Sequence, residues 1–93
     1  SIDSIQKAVA EHFDVRLADM TSRRRPASIA FPRQIAMYLS RSLTKGSLME
    51  IGEAFGGRDH GTVIHACKKV AERVDDEPGL KESIARIESQ LRR

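Results

Sequence analysis

Apolar residues recur three and four positions apart along almost the whole chain, and this spacing leaves little choice of secondary structure. It places the apolar side chains on one face of a helix, whereas a half-buried strand needs strict alternation. The first such segment follows Ser1, a good N-cap residue, and contains Ile2, Ile5, Val9 and Phe13. The chain is therefore predicted to be all-α, with a first helix over about residues 2–13.

The next segment carries basic rather than apolar residues. Leu17 and Met20 can form one further helical turn, but residues 21–28 show no apolar periodicity. Pro26 lies among them, and a proline pushes the residue before it out of the helical region. We therefore predict a loop over about residues 21–28. We call it the basic loop because it contains Arg23, Arg24 and Arg25.

Two amphipathic helices are predicted outside the central part of the chain. One covers about residues 29–43, with Ser28 as its N-cap and Pro32 in its first turn, where a missing N–H is harmless. Residues 75–79 interrupt the pattern. A last helix then follows, with the apolar stripe Leu80, Ile84, Ile87 and Leu91.

The segment between these helices has the pattern of a helix-turn-helix. Ser47 and Glu50 form a capping box at the start of a short helix. The glycine pair at 56–57 can reverse the chain, and Asp59 can cap a longer helix after it. We therefore predict a small bundle of about six helices that contains a helix-turn-helix over about residues 47–74.

The charge of the chain is concentrated in its middle. The formal net charge of the 93 residues is only +3. Residues 16–73, however, hold eleven basic and five acidic side chains, a balance of +6 between two acidic ends. This distribution is typical of a protein that binds a polyanion, although a basic run can also simply keep a surface hydrated. Arginine, which forms the run at 23–25, suits phosphate oxygens and narrow minor grooves.

The helix that starts at Asp59 has polar residues at its tip. His60, Gly61 and Thr62 precede the apolar stripe, which begins at Val63, so they project from the end of the helix. A recognition helix presents such residues to base edges in the major groove of DNA. The alternative is that Asp59 acts only as an N-cap and Thr62 only as a residue of the first turn.

Metal binding and catalysis find little support in the sequence. His60 and His65 are five residues apart, not the four of a helical zinc pair, and Cys67 falls on the apolar stripe. No phosphate-binding loop of the G-x-x-x-x-G-K-[ST] type is present. Aromatic residues make up only 4% of the chain, which favours duplex over single-stranded nucleic acid. We predict a domain that is not an enzyme and holds no metal and no cofactor.

The expected location is the reducing cytoplasm, in association with the nucleoid. Cys67 is the single cysteine, so no internal disulfide can form. No apolar segment is long enough to cross a bilayer, and residues 1–15 are too charged for a signal peptide.

The central motifs resemble the C-terminal DNA-binding domain of the DnaA family of bacterial chromosome replication initiators. The resemblance rests on GGRDHGTVIHA at 56–66, on the three arginines of the basic loop, on Pro-Arg-Gln at 32–34, and on the segment 47–55. It extends over essentially the whole chain. It implies a Trp-repressor-like fold that binds DnaA boxes in the duplex at the replication origin. The isolated domain would be monomeric and excised from a longer protein. That protein would oligomerise on the origin and carry an AAA+ module for ATP that is absent here.

The resemblance also implies roles for individual residues. Arg25 would enter the minor groove, while Asp59, His60 and Thr62 would face bases in the major groove, with Gly61 among them. Phosphate contacts would come from Arg23, Arg24, Arg33, Gln34, Arg41, Arg58, Lys68 and Lys69. The family usually has Thr or Ser at the position of Gly61, so the base read there is not predicted.

Two other functions are compatible with parts of the sequence. A helix-turn-helix transcription regulator would bind palindromic operators as a dimer. Alternatively, the stripe of the last helix could dock a protein or an acidic phospholipid surface, although such a stripe more often belongs to the core.

Overall fold

The computed structural model describes residues 1–93 and consists of five α-helices and one turn of 3₁₀ helix, with no strand. The elements are α1 (Ile2–Phe13), the 3₁₀ turn (Leu17–Met20), α2 (Ala27–Leu43), α3 (Leu48–Ala54), α4 (His60–Asp76) and α5 (Pro78–Leu91). The predicted all-α bundle is confirmed. It has five helices rather than about six, because the four residues 17–20 close only a 3₁₀ turn.

Three of the helices begin at the predicted N-caps. The side chains of Ser1, Ser47 and Asp59 each accept a hydrogen bond from the backbone N–H three residues later. These bonds satisfy N–H groups that have no partner inside the helix, so each cap fixes where its helix starts.

The start of α2 differs from the prediction. α2 begins at Ala27, two residues early, and its N-cap is Pro26 rather than Ser28. The Pro26 carbonyl accepts from two N–H groups of the first turn, at 2.9 and 2.8 Å. Pro32 is consequently the sixth residue of the helix and lies beyond the first turn. It leaves the Ser28 carbonyl without its usual donor, close to the exposed end of the helix.

The core lies between α2 and α4, and α1, α3 and α5 cover it. The fully buried residues include Ile35 and Leu39 of α2, Val63 and Val70 of α4, and Phe55 directly after α3. The arginines before α2 and Thr62 in the first turn of α4 line one cavity, so the basic loop lies close to the start of α4.

The apolar stripe of α5 belongs to the same core. Ile84 and Ile87 are buried, and Leu80 and Leu91 are partly buried against the core cluster. The alternative of a free docking seam on this helix is therefore wrong. None of the helices is both long and apolar enough to cross a membrane.

Candidate nucleic-acid interface

The first turn of α4 is exposed and is held by its own cap. One carboxylate oxygen of Asp59 accepts from the Thr62 N–H at 2.8 Å. This donor lowers the pKa of the Asp59 carboxyl, so the side chain is charged at neutral pH. His60, Gly61 and Thr62 are all exposed. Asp59 is thus an N-cap, as in the alternative that the sequence offered, and its carboxylate lies on the exposed surface beside His60 and Thr62.

The turn between α3 and α4 depends on glycine. Gly56 and Gly57 have φ angles of 91° and 78°, in the left-handed region that favours this residue. The N–H groups of Gly57 and Arg58 both donate to the Gly52 carbonyl, at 3.0 and 2.9 Å, which ends α3. A Cβ at Gly56 would overlap the carbonyl of Thr21. The turn therefore touches the start of the basic loop, backbone against backbone.

The three arginines of the basic loop are exposed but not equivalent. The Nη2 atom of Arg23 donates to the Gly56 carbonyl at 3.2 Å. The Nη1 atom of Arg24 lies 3.9 Å from an oxygen of the Asp19 carboxylate. Arg25 takes part in no hydrogen bond or ion pair. Its guanidinium is therefore available in full to a ligand.

A groove joins the basic loop to α4. It encloses about 420 Å³ and is lined by residues of the basic loop, α2, the turn and α4, with no acidic side chain among them. His65 lines it beside Thr62. In the sequence His65 stood out only as a candidate metal ligand, yet its spacing of three from Thr62 places the two residues on one helix face.

Arg33 corrects a sequence prediction. The resemblance implied that it contacts phosphate, but it is only 5% exposed. Its Nε donates to the Asp19 carbonyl at 2.9 Å, and its Nη2 to the Ser22 hydroxyl and the Arg24 carbonyl at 3.1 and 3.2 Å. Burial lowers the pKa of this guanidinium, and the Asp19 carboxylate opposes that shift. Arg33 is thus better placed to shape the basic loop than to hold a phosphate.

Arg58 also points inward. The side chain is half-buried and donates from Nη1 to the Phe55 carbonyl and from Nη2 to the Ser22 carbonyl, the latter at 2.7 Å. Both guanidinium arms are therefore engaged within the chain, one on the turn and one on the basic loop.

The remaining predicted phosphate contacts lie on the surface, apart from Gln34. Arg41, Lys68 and Lys69 are exposed. Gln34 is partly buried, and its Oε1 atom has no hydrogen-bond partner. Arg41 shares a second groove, of about 670 Å³, with Asp59 and His60.

Two exposed apolar residues flank this surface and were not predicted. Met49, in the first turn of α3, is 75% exposed, and Ile64 of α4 is 47% exposed. Ile64 was detectable as the one large apolar residue of α4 that lies off the buried stripe. Apolar side chains at such places can contact thymine methyl groups.

The geometry offers little to metal or thiol chemistry. No group of three or more His, Cys, Asp or Glu side chains lies close enough together to hold a metal ion. The Cys67 sulfur is half-buried, 3.8 Å from the Met37 carbonyl, and burial raises the pKa of the thiol. A reactive cysteine needs the opposite shift.

Comparison with known proteins finds a matching family and a similar solved structure. The family model described as bacterial DnaA protein helix-turn-helix matches residues 2–70. Among solved structures, the chain is similar to a DNA replication initiation factor, with 36% identity and a TM-score of 0.84. That match covers 96% of this chain and 27% of the other, so the chain spans a minor part of that protein's length.

Proposed function

Because the chain belongs to the bacterial DnaA helix-turn-helix family, we propose that it is the domain with which a replication initiator binds DnaA boxes in double-stranded DNA at the origin. The observation that supports this most is the placement of Arg25. An arginine without a partner in the chain lies in the same loop that meets the turn before α4. One face of the domain thus presents a free arginine and a helix tip together.

In this proposal α4 enters the major groove. The exposed Asp59 carboxylate can accept from a cytosine amino group, the His60 imidazole can bond a purine, and Thr62 can contact a base edge or a phosphate. Arg25 enters the adjacent minor groove, where a narrow A·T-rich segment concentrates negative potential. Gly61 contributes no side chain, so it leaves room for a base beside Asp59.

The exposed basic residues hold the DNA backbone. Arg23, Arg24 and Arg41 surround the two grooves, and Lys68 and Lys69 extend the surface along α4. Such contacts fix the position of a protein on the duplex and carry no sequence information. The domain acts here as a monomer without catalysis or a cofactor. ATP binding and assembly on the origin belong to other parts of a longer initiator.

Titration of fluorescently labelled duplexes tests the proposal. A duplex with a DnaA box and one with the same bases in scrambled order are compared at ~0.15 M salt, where specific and non-specific binding differ by about 10³-fold or more. We expect a preference for the box of that order. His60→Ala should weaken binding to the box by about 1 to 3 kcal/mol and leave binding to the scrambled duplex nearly unchanged. Equal affinities of the unaltered domain for both duplexes would refute the proposal.

A further inference from the structure

We propose that Arg58 is a positioning residue that braces the basic loop against the helix-turn-helix, so that the two grooves of the DNA are read in one fixed register. This inference rests on the proposed function. It assigns Arg58 a role different from the phosphate contact that its charge suggests, because its donors point into the protein.

Hydrogen bonds cross between the basic loop and the turn in both directions. Arg58, at the end of the turn, donates to the Ser22 carbonyl in the loop at 2.7 Å. Arg23, in the loop, donates to the Gly56 carbonyl in the turn at 3.2 Å. The other arm of Arg58 is fixed by the Phe55 carbonyl, so the guanidinium spans the two segments.

The loop is held from its other side by α2. Arg33 donates to the Ser22 hydroxyl and to the Arg24 carbonyl. Ser22 thus accepts hydrogen bonds from two guanidinium groups, that of Arg58 at its carbonyl and that of Arg33 at its hydroxyl. The basic loop has no regular secondary structure, and these bonds take the place of a helical or strand ladder. They end at Arg24, directly before the unpartnered Arg25.

This brace needs arginine rather than a generic cation. A planar guanidinium can donate to two carbonyls at once in a fixed fork, whereas a lysine ammonium is a flexible point charge. The burial of Arg58, and then the charges of Arg33 and Arg23, lower the pKa of its guanidinium. Three cations therefore lie close together in the free domain and repel one another. Nearby DNA phosphates would reduce this repulsion.

The variant Arg58→Lys distinguishes a brace from a simple phosphate contact. It keeps the positive charge but removes the planar guanidinium that donates to two carbonyls. The effect of Arg25→Ala on binding to the DnaA-box duplex is measured in the wild-type and in the Arg58→Lys background. We expect a loss of about tenfold in the wild type, as for one good base contact, and less than about threefold in the variant. His60→Ala should lower the affinity for the box by the same factor in both backgrounds, because the Arg58→Lys substitution leaves α4 in position. A merely destabilised domain would weaken both effects.

Arg86→Lys is the matched control, since Arg86 is exposed on α5 and pairs with Glu82 away from both grooves. In its background Arg25→Ala should keep its full effect. An undiminished effect of Arg25→Ala in the Arg58→Lys background would overturn the brace. If the unaltered domain does not distinguish the box from the scrambled duplex, the proposed function fails instead.

A second measurement on the unaltered, DNA-free domain decides the matter if Arg58→Lys fails to fold, or if the proposed function fails. NMR of arginine side chains reports the hindered rotation and slow hydrogen exchange of an engaged guanidinium. We expect the Nη protons of Arg58 to be protected and those of Arg25 to exchange freely. Equal exchange at the two residues would also overturn the brace.

Discussion

The contact between the turn and the basic loop can be isolated by comparing two neighbouring glycines. Gly56 and Gly57 both have positive φ, so an alanine at either position is strained by about 1 to 2 kcal/mol. A Cβ at Gly57 meets nothing within 4 Å. A Cβ at Gly56 would overlap the Thr21 carbonyl, and displacing packed backbone costs about 1 to 3 kcal/mol more. We expect Gly57→Ala to destabilise the domain by about 1 to 2 kcal/mol and Gly56→Ala by about 2 to 5 kcal/mol.

Urea titration monitored by circular dichroism measures both losses of stability. In thermal melts, each kcal/mol of lost stability should lower Tm by about 4 to 8 °C in a domain of this size. The two variants are also titrated with the DnaA-box duplex under conditions in which both remain folded. Gly56→Ala should weaken box binding more, because the displaced Thr21 carries the basic loop with it. Equal losses of stability would refute the reasoning, since backbone strain alone would then account for both changes.

Four further outcomes are expected. Asp59→Ala should lower Tm at pH 7 more than Asp59→Asn, which keeps an accepting oxygen and loses only the charge. The Thr62 N–H lowers the Asp59 pKa, so the carboxylate's stabilisation is present above the unfolded pKa and is lost as pH falls through the folded value. The difference in Tm between the wild type and Asp59→Asn, measured from pH 2 to 7, should therefore shrink as the pH falls. Gly61→Ala should stabilise the domain against urea by up to about 1 kcal/mol, because its Cβ meets only the Asp59 carboxylate at 3.4 Å; a loss would mean that the site is not open. The logarithm of box affinity should fall with the logarithm of salt at a slope of about −5, and a slope near −1 would contradict a multi-phosphate interface.

The helix boundaries that the sequence predicted correctly depend on local chemistry. Ser1, Ser47 and Asp59 act within one turn of their own position, so the residue type and the spacing of three are enough to predict the cap. The start of α2 was misplaced because a proline carbonyl can accept the first helical bonds as well as a serine side chain can cap them. Which of the two residues starts α2 depends on the direction from which the basic loop reaches the helix, and that direction is set by tertiary contacts.

The inward arginines could not be predicted for a related reason. The partners of Arg33 are two backbone carbonyls and one hydroxyl, which lie 14, 9 and 11 residues away in sequence. Every residue has a backbone carbonyl, so the sequence does not show which carbonyls accept from an arginine. An arginine that bonds to a buried carbonyl therefore looks the same in the sequence as an arginine exposed to solvent. The helical period places Arg33 off the buried stripe of α2, and its burial depends on the basic loop, to which its guanidinium donates.

The placement of these arginines changes what the charge of the chain means. Of the eleven basic residues between 16 and 73, Arg33 and Arg58 are engaged by the basic loop and the turn. Arg16 pairs with Asp19, and Arg73 pairs with Glu77 while it covers the Phe31 ring at 3.8 Å. Two more are partly engaged, because Arg23 donates to the Gly56 carbonyl and Arg24 lies near the Asp19 carboxylate. Five basic side chains make no such contact: Arg25, Arg41, Lys45, Lys68 and Lys69. Together with the exposed donors that Arg23 and Arg24 retain, they are enough for the five or six phosphate contacts that a slope near −5 implies. Some of the central basic residues thus hold the basic loop and the turn in place, and the others remain exposed to contact a polyanion.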